Sequence, residues 1–147
     1  MRSAVFVLAS CLSYASALLD QAYGVEGRIL CGTEPAAKVQ VKLYDKDFGP
    51  DPDDLLGEAY TDSDGHFSIK GSTQEVTPID PELYIYHDCD DILPGLRKVK
   101  LVMPKKYINR DSTIPKSIMN IGQINLEIIF PDEGRSIWQK VKRAQLT

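Results

Sequence analysis

Two histidines, two cysteines downstream of an apolar leader, an acid-rich run and a basic run are the side chains here with chemistry to offer. His66 directly follows a turn glycine, Gly65, and reads as an exposed turn residue. His87 lies between Tyr86 and Asp88, where an imidazole can hydrogen-bond a carboxylate without doing chemistry. A pH-sensing role is the alternative, because an unperturbed imidazole changes charge near neutrality. No Gly-x-Ser-x-Gly elbow, zinc-ligand spacing or phosphate loop accompanies either histidine. The sequence therefore predicts no catalytic residue, no cofactor and no metal centre.

The acid-rich run is Asp45–Asp54, DKDFGPDPDD, with five carboxylates in ten residues. Hard cations take several oxygen ligands, so calcium is the reading to test. The spacing does not match an EF-hand loop, and the run lacks the bidentate glutamate that closes one. Nor does Asp62-Ser63-Asp64-Gly65 supply such a loop, since aligning Gly65 with the loop glycine puts Tyr60 first and Gly71 last. A solvated acidic loop is the expectation.

The basic run is Arg97–Lys116, which holds seven cations against Asp111 alone. Lys98, Lys100, Lys105, Lys106, Tyr107 and Arg110 form its candidate binding surface. A local cluster of this density attracts anionic lipid headgroups or acidic glycans, at roughly 1 kcal/mol per basic residue near an anionic membrane. Tyr107 suits an interface because its ring is apolar and its tip polar. The competing expectation is that these cations neutralise the acidic loops or face solvent.

These groups need a frame. A chain of 147 residues with 43% apolar content predicts one domain with a real core. Its net charge of −4 disfavours a nucleic-acid partner. Arg2, the apolar Ala4–Leu12 stretch and Ala15-Ser16-Ala17 read as a signal peptide over residues 1–17, which predicts a secreted, extracellular protein. Cys11 leaves with that segment. In an oxidising compartment the remaining Cys31 and Cys89 admit one intramolecular bridge, worth roughly 4 kcal/mol by the chain-entropy model.

Alternating apolar and polar residues mark the strands. Gly24–Leu30 places Val25, Gly27, Ile29 and Cys31 on one face. Lys38–Tyr44 turns Val39, Val41 and Leu43 inward. Leu55–Thr61 and His66–Lys70 read as a β-hairpin closed by Asp62–Gly65, with Phe67 and Ile69 inward. Glu82–His87 sets Leu83 and Ile85 against Tyr84 and Tyr86, and Arg97–Val102 sets Val99 and Leu101 against Lys98 and Lys100. Asn120–Phe130 turns Ile124, Leu126, Ile128 and Phe130 inward. Pro78 and Pro81 keep the Ser72–Pro81 connector out of a central strand. About seven strands with turn signals between them predict an all-β sandwich over residues 18–130. Residues 131–147 are expected as a basic tail, and Ser136–Gln145 has the spacing of a short amphipathic helix that packs on the domain, frays or lies on a membrane surface.

VEGRILCG, VKLYDKD, the hairpin YTDSDGHFSIKG with STQEVTPIDPELYIYHDC after it, and IGQINLEI together resemble the transthyretin-like family of nematode secreted proteins. The resemblance covers Gly24–Phe130. It implies a transthyretin-type sandwich of seven to eight strands with Greek-key connections, and a disulfide matching Cys31 and Cys89. It also implies a non-enzymatic extracellular binding or signalling protein, acting at a cell surface or bridging to anionic phospholipid, with an extracellular protein or receptor as partner. A small hydrophobic ligand carrier is the alternative. The related hydroxyisourate hydrolases carry a C-terminal Tyr-Arg-Gly-Ser, whereas this chain ends Ala-Gln-Leu-Thr, which makes hydrolysis the less favoured reading. Hormone carriage needs a tetramer, and the sequence leaves the oligomeric state open.

Overall fold

Side chains at period two bury one face of a strand against a second layer, and among the described residues that layer is a second sheet. The structure, a computed structural model, describes residues 19–47 and 53–137. The expected signal peptide, and the expected helix beyond Ile137, lie outside the described residues. In chain order the strands are β1 (Asp20–Cys31), β2 (Glu34–Pro35), β3 (Gln40–Asp45), β4 (Asp54–Tyr60), β5 (His66–Gln74), β6 (Pro81–His87) and β7 (Leu96–Val102). A one-turn 3-10 helix over Lys105–Tyr107 precedes β8 (Asn109–Arg110), β9 (Ile118–Asn125) and β10 (Gly134–Ser136).

The first sheet is organised on β1. Antiparallel β5 lies on one side, with Val25 opposite Ile69. Parallel β9 lies on the other, running from Gly24 opposite Ile118 to Leu30 opposite Asn125. Short β8 and β2 also pair with β1. The second sheet is antiparallel in the order β10-β7-β6-β3-β4. Between the sheets lie Tyr23, Val25 and Ile29 of β1, Phe67 and Ile69 of β5, Val41 and Leu43 of β3, Leu83 and Ile85 of β6, and Val99 of β7. Full burial of each such side chain contributes about 1.5–3 kcal/mol, so this layer is the main source of stability. The predicted faces of β6 are both present, since Tyr84 and Tyr86 pack in a separate cluster on the outer side. Pro81 does enter a central strand, but as its first residue, a position that needs no donor to the ladder.

Two expectations are corrected. Tyr60–Gly71 is not a hairpin, because β4 pairs with β3 in one sheet while β5 pairs with β1 in the other. The turn residues behave as read: Asp62 Oδ1 accepts from the Asp64 and His66 amides at 2.9 Å each, and Gly65 takes a φ of 79°. What redirects the chain is Thr61, whose buried hydroxyl accepts from Val39 N at 2.9 Å and donates to Ala36 O. Local turn chemistry is shared by hairpins and by arches that cross between sheets, and the long-range edges decide which forms. The two strands stay close after crossing. A Cβ at Gly71 would stand 2.1 Å from Leu56 O, and one at Gly57 would stand 2.7 Å from Ile69 Cγ2.

The second correction lies near the C-terminus. The sheet does not end at Phe130, since Gly134–Ser136 adds a strand to β7 where a tail was expected. Ile128 faces solvent rather than the core. The cause is Asn125, whose Oδ1 accepts from the Gly32 and Glu127 amides at 3.0 and 3.2 Å while its Nδ2 donates to Gly32 O at 3.1 Å. That clamp ends β9 and turns the chain after Leu126.

Candidate interaction surfaces

The basic residues singled out in the sequence are divided between the two sheets and the turn joining them. Lys98 and Lys100 stand on the outer face of β7. Lys98 Nζ lies 5.1 Å from the centre of the Tyr84 ring, and Lys100 Nζ lies 3.5 Å from Glu82 Oε1. Tyr84 donates its hydroxyl proton to Glu82 Oε2 at 3.0 Å and packs on Tyr44, with ring centres 5.0 Å apart. Burial, and then the Glu82 carboxylate, push the Tyr84 phenol above its usual range, while burial pushes Tyr86 up to about 12. Both therefore remain neutral phenols beneath the lysine stems.

Lys105 is ion-paired with Asp80, and Lys106 Nζ lies 5.2 Å from the Tyr107 ring centre. Tyr107 packs against the core. Nearby, Tyr23 donates to Pro104 O at 3.0 Å, which fixes the entry to this turn. Arg110 sits on β8, opposite Gln21 of the first sheet. A run contiguous in sequence is thus split, and Lys100 and Lys105 each have an acidic neighbour.

Among the described residues, Asp45, Asp47 and Glu75 bring carboxylate oxygens within 4.8 Å of one another. Asp45 has a structural duty, because its Oδ1 accepts from Asp80 N at 2.7 Å. Burial raises its carboxyl above the usual range. The acidic run is therefore partly a connector pin rather than a wholly solvated loop.

At the opposite end of the sandwich, Cys31 and Cys89 form the expected disulfide, with Cα atoms 5.7 Å apart. His87 is buried beside it, and its Nδ1 accepts from Cys89 N at 3.2 Å rather than engaging a carboxylate. Burial, and then the neighbouring Arg97 guanidinium, pull its pKa down to about 4. His87 is thus neutral at physiological pH, and the pH-sensing alternative loses its working range. His66 is exposed on β5, as expected.

Residues 88–95 and 126–137 meet at this end. Arg97, read as a surface cation, instead points into them: it donates to Cys89 O, Leu126 O and Ile128 O at 3.1 Å each and is ion-paired with Glu133. Arg135 binds Pro94 O at 3.2 Å and lies 2.8 Å from Asp91 Oδ2. The frame holds large aliphatic side chains in water: Ile92 is 100% exposed, Ile129 80%, Ile137 68%, Leu93 60% and Ile128 59%. Sequence reasoning missed this group. The apolar pairs in DDILPG and LEIIF were its only signal, and the second was absorbed into a strand.

Residues 26–104 match the transthyretin-like family model. The chain is 48% identical over 139 residues to transthyretin-like protein 46 of Caenorhabditis elegans, covering 93% of this chain and 77% of the relative. Transthyretin-like protein 33 of the same organism is also 48% identical, over 134 residues, covering 90% and 92% respectively. Transthyretin-like protein 5 is 48% identical over 124 residues, covering 84% and 88%. Among solved structures, a 9R-lipoxygenase from Cyanothece matches at a TM-score of 0.41 with 20% identity, covering 71% of this chain and 16% of the other, and carries no functional weight. The family model and these relatives decide the assignment: the chain belongs to the transthyretin-like family.

Proposed function

We propose that the protein is a secreted, non-enzymatic binding protein that engages an extracellular protein or cell-surface receptor through the loop end of its sandwich. The observation that carries this reading is the set of five exposed aliphatics, led by the fully exposed Ile92, on loops that Arg97, Arg135 and the disulfide hold in place. Large aliphatic side chains exposed together on neighbouring loops are candidates for contact sites. A rigid support lowers the ordering entropy that binding would otherwise cost.

The surroundings select the partner. Residues 88–95 and 126–137 contain Asp88, Asp90, Asp91, Glu127, Asp132 and Glu133, against Arg135 within them and Arg97 beside them. A protein surface with an apolar centre and a basic rim complements this end, whereas an anionic bilayer is repelled by it. A photo-crosslinker placed at Ile92 of the full-length secreted protein, applied to extracellular fluid and intact cells, tests the reading. A saturable adduct at Ile92 that is lost on Ile129→Asp, and is absent when the crosslinker replaces exposed Val76 at the far end, is the expected result. Equal labelling from both positions would sink it.

A further inference from the structure

The outer face of the first sheet carries a second site, independent of the loop end. Strand register places Asn120, Glu26 and Ser68 side by side across β9, β1 and β5, and Gln123, Arg28 and His66 in the next row. All of these residues except Gln123 line an open groove of about 640 Å³. One wall is Tyr60, 41% exposed, at the end of β4 where the chain crosses between sheets. Gly122 forms part of the floor, and a Cβ there would meet nothing within 4 Å, so the space above it is open.

The polar groups are already held in place. Asn120 Nδ2 donates to Glu26 Oε1 at 3.0 Å, and its Oδ1 accepts from Gly122 N at 2.8 Å. Arg28 Nε donates to Asp64 O at 2.8 Å, and its Nη1 lies 3.4 Å from Gln123 Oε1. Among the described residues Glu26 Oε2 and Arg28 Nη2 have no partner, so an acceptor and a donor on fixed side chains remain for a ligand. The Tyr60 hydroxyl accepts from Gln40 Nε2 at 3.0 Å, which steadies the ring.

We infer that this groove binds a neutral oligosaccharide. The lining is too polar for a hydrophobic ligand. Its carboxylates, Glu26 and Asp62, outnumber its one guanidinium, Arg28, so no net positive field selects a phosphate or sulfate. A pyranose offers what the lining asks for. Its adjacent hydroxyls both donate and accept, matching a carboxylate next to a guanidinium and an amide. Its C–H face packs on an aromatic ring that has one apolar surface and a polar tip. The groove is open to solvent, so a sugar seated in it can be one unit of a longer chain.

Amide chemical-shift mapping of the full-length secreted protein with chitohexaose, cellohexaose, a mannose-rich hexasaccharide and a heparin hexasaccharide tests this. The expected result is saturable shifts at Arg28, Ser68, Asn120 and Gly122 with one neutral sugar, at a Kd of about 1 mM or tighter. Tyr60→Ala and Glu26→Gln should each weaken that binding about tenfold, and Tyr60→Phe, which keeps the ring and loses only the hydroxyl, should weaken it less than Tyr60→Ala. Absence of shifts with all three neutral sugars overturns the assignment. So does preferential binding of the heparin fragment, or binding indifferent to Tyr60→Ala. None of these outcomes touches Ile92, so the two sites stand or fall separately.

Discussion

Arg97 and Glu133 are ion-paired with only 12% and 10% of their side-chain surfaces exposed, and the pair joins the start of β7 to the segment before β10. The Arg97 hydrogen bond holds the Glu133 carboxyl below the usual carboxylate range. Because the same guanidinium also serves three backbone carbonyls, its loss leaves several groups unsatisfied at once. Arg97→Met is expected to destabilise the fold by about 2–4 kcal/mol in urea unfolding. Lysine should not rescue it, since a single ammonium cannot reproduce the planar fork. A Lys variant as stable as the native chain would show that charge alone suffices.

His87 sets a pH dependence. Its folded pKa is pulled to about 4 from an ordinary value of 6.5. Above 6.5 the imidazole is neutral in both states and stability is at its full value. Between pH 6.5 and 4 the unfolded chain takes up a proton that the folded one refuses, so stability falls as pH falls, by about 3 kcal/mol over that window. His87→Asn, which keeps an acceptor for the Cys89 amide, should flatten the profile of melting temperature against pH. Identical slopes in both proteins would remove His87 from the account.

The disulfide predicts a chemical and a thermodynamic readout together. Cys89→Ser should destabilise the domain by about 2–5 kcal/mol and leave Cys31 reactive to maleimide. The unreduced wild type should show no reactive thiol at either position.

Two glycines separate space from backbone conformation. Gly71→Ala meets Leu56 O, a backbone atom that cannot swing aside, and is expected to cost about 1–3 kcal/mol. Gly122→Ala has open space but keeps a φ of 71°, so its penalty is conformational and about 1 kcal/mol. Chemical denaturation of the two variants should rank them in that order.

What could be read from the sequence was local. Leu83 and Ile85 against Tyr84 and Tyr86, or Val99 against Lys98 and Lys100, follow from period two and needed no knowledge of neighbours. Asp62–Gly65 announced a turn but could not say between which edges, because that choice rests on pairings with β1 and β3 from elsewhere in the chain. Ile128 was misplaced since alternation continues past Asn125 in sequence, while the Asn125 side chain stops it in space. The basic run was legible as composition, but its division between elements was not, because topology sends Lys98 to one sheet and Arg110 to the other. The oligosaccharide groove draws its rows from three strands, two of which lie more than ninety residues apart in places, and no window of sequence contains them.

The Cys31–Cys89 bond also bears on the order of assembly. Parallel β9 docks beside β1 at Leu30 and Asn125, a contact that asks the free chain to close a loop of about 95 residues. Both cysteines leave the ribosome before β9 does. Once they are joined, the shortest covalent route between Leu30 and Asn125 runs through the sulfurs and spans roughly 37 residues, which lowers the closure penalty by about 0.8 kcal/mol. The bridge is therefore a guide for the last strand as well as a staple for the finished sandwich, and refolding with the thiols reduced should delay the docking of β9 more than the formation of the β3–β6–β7 sheet.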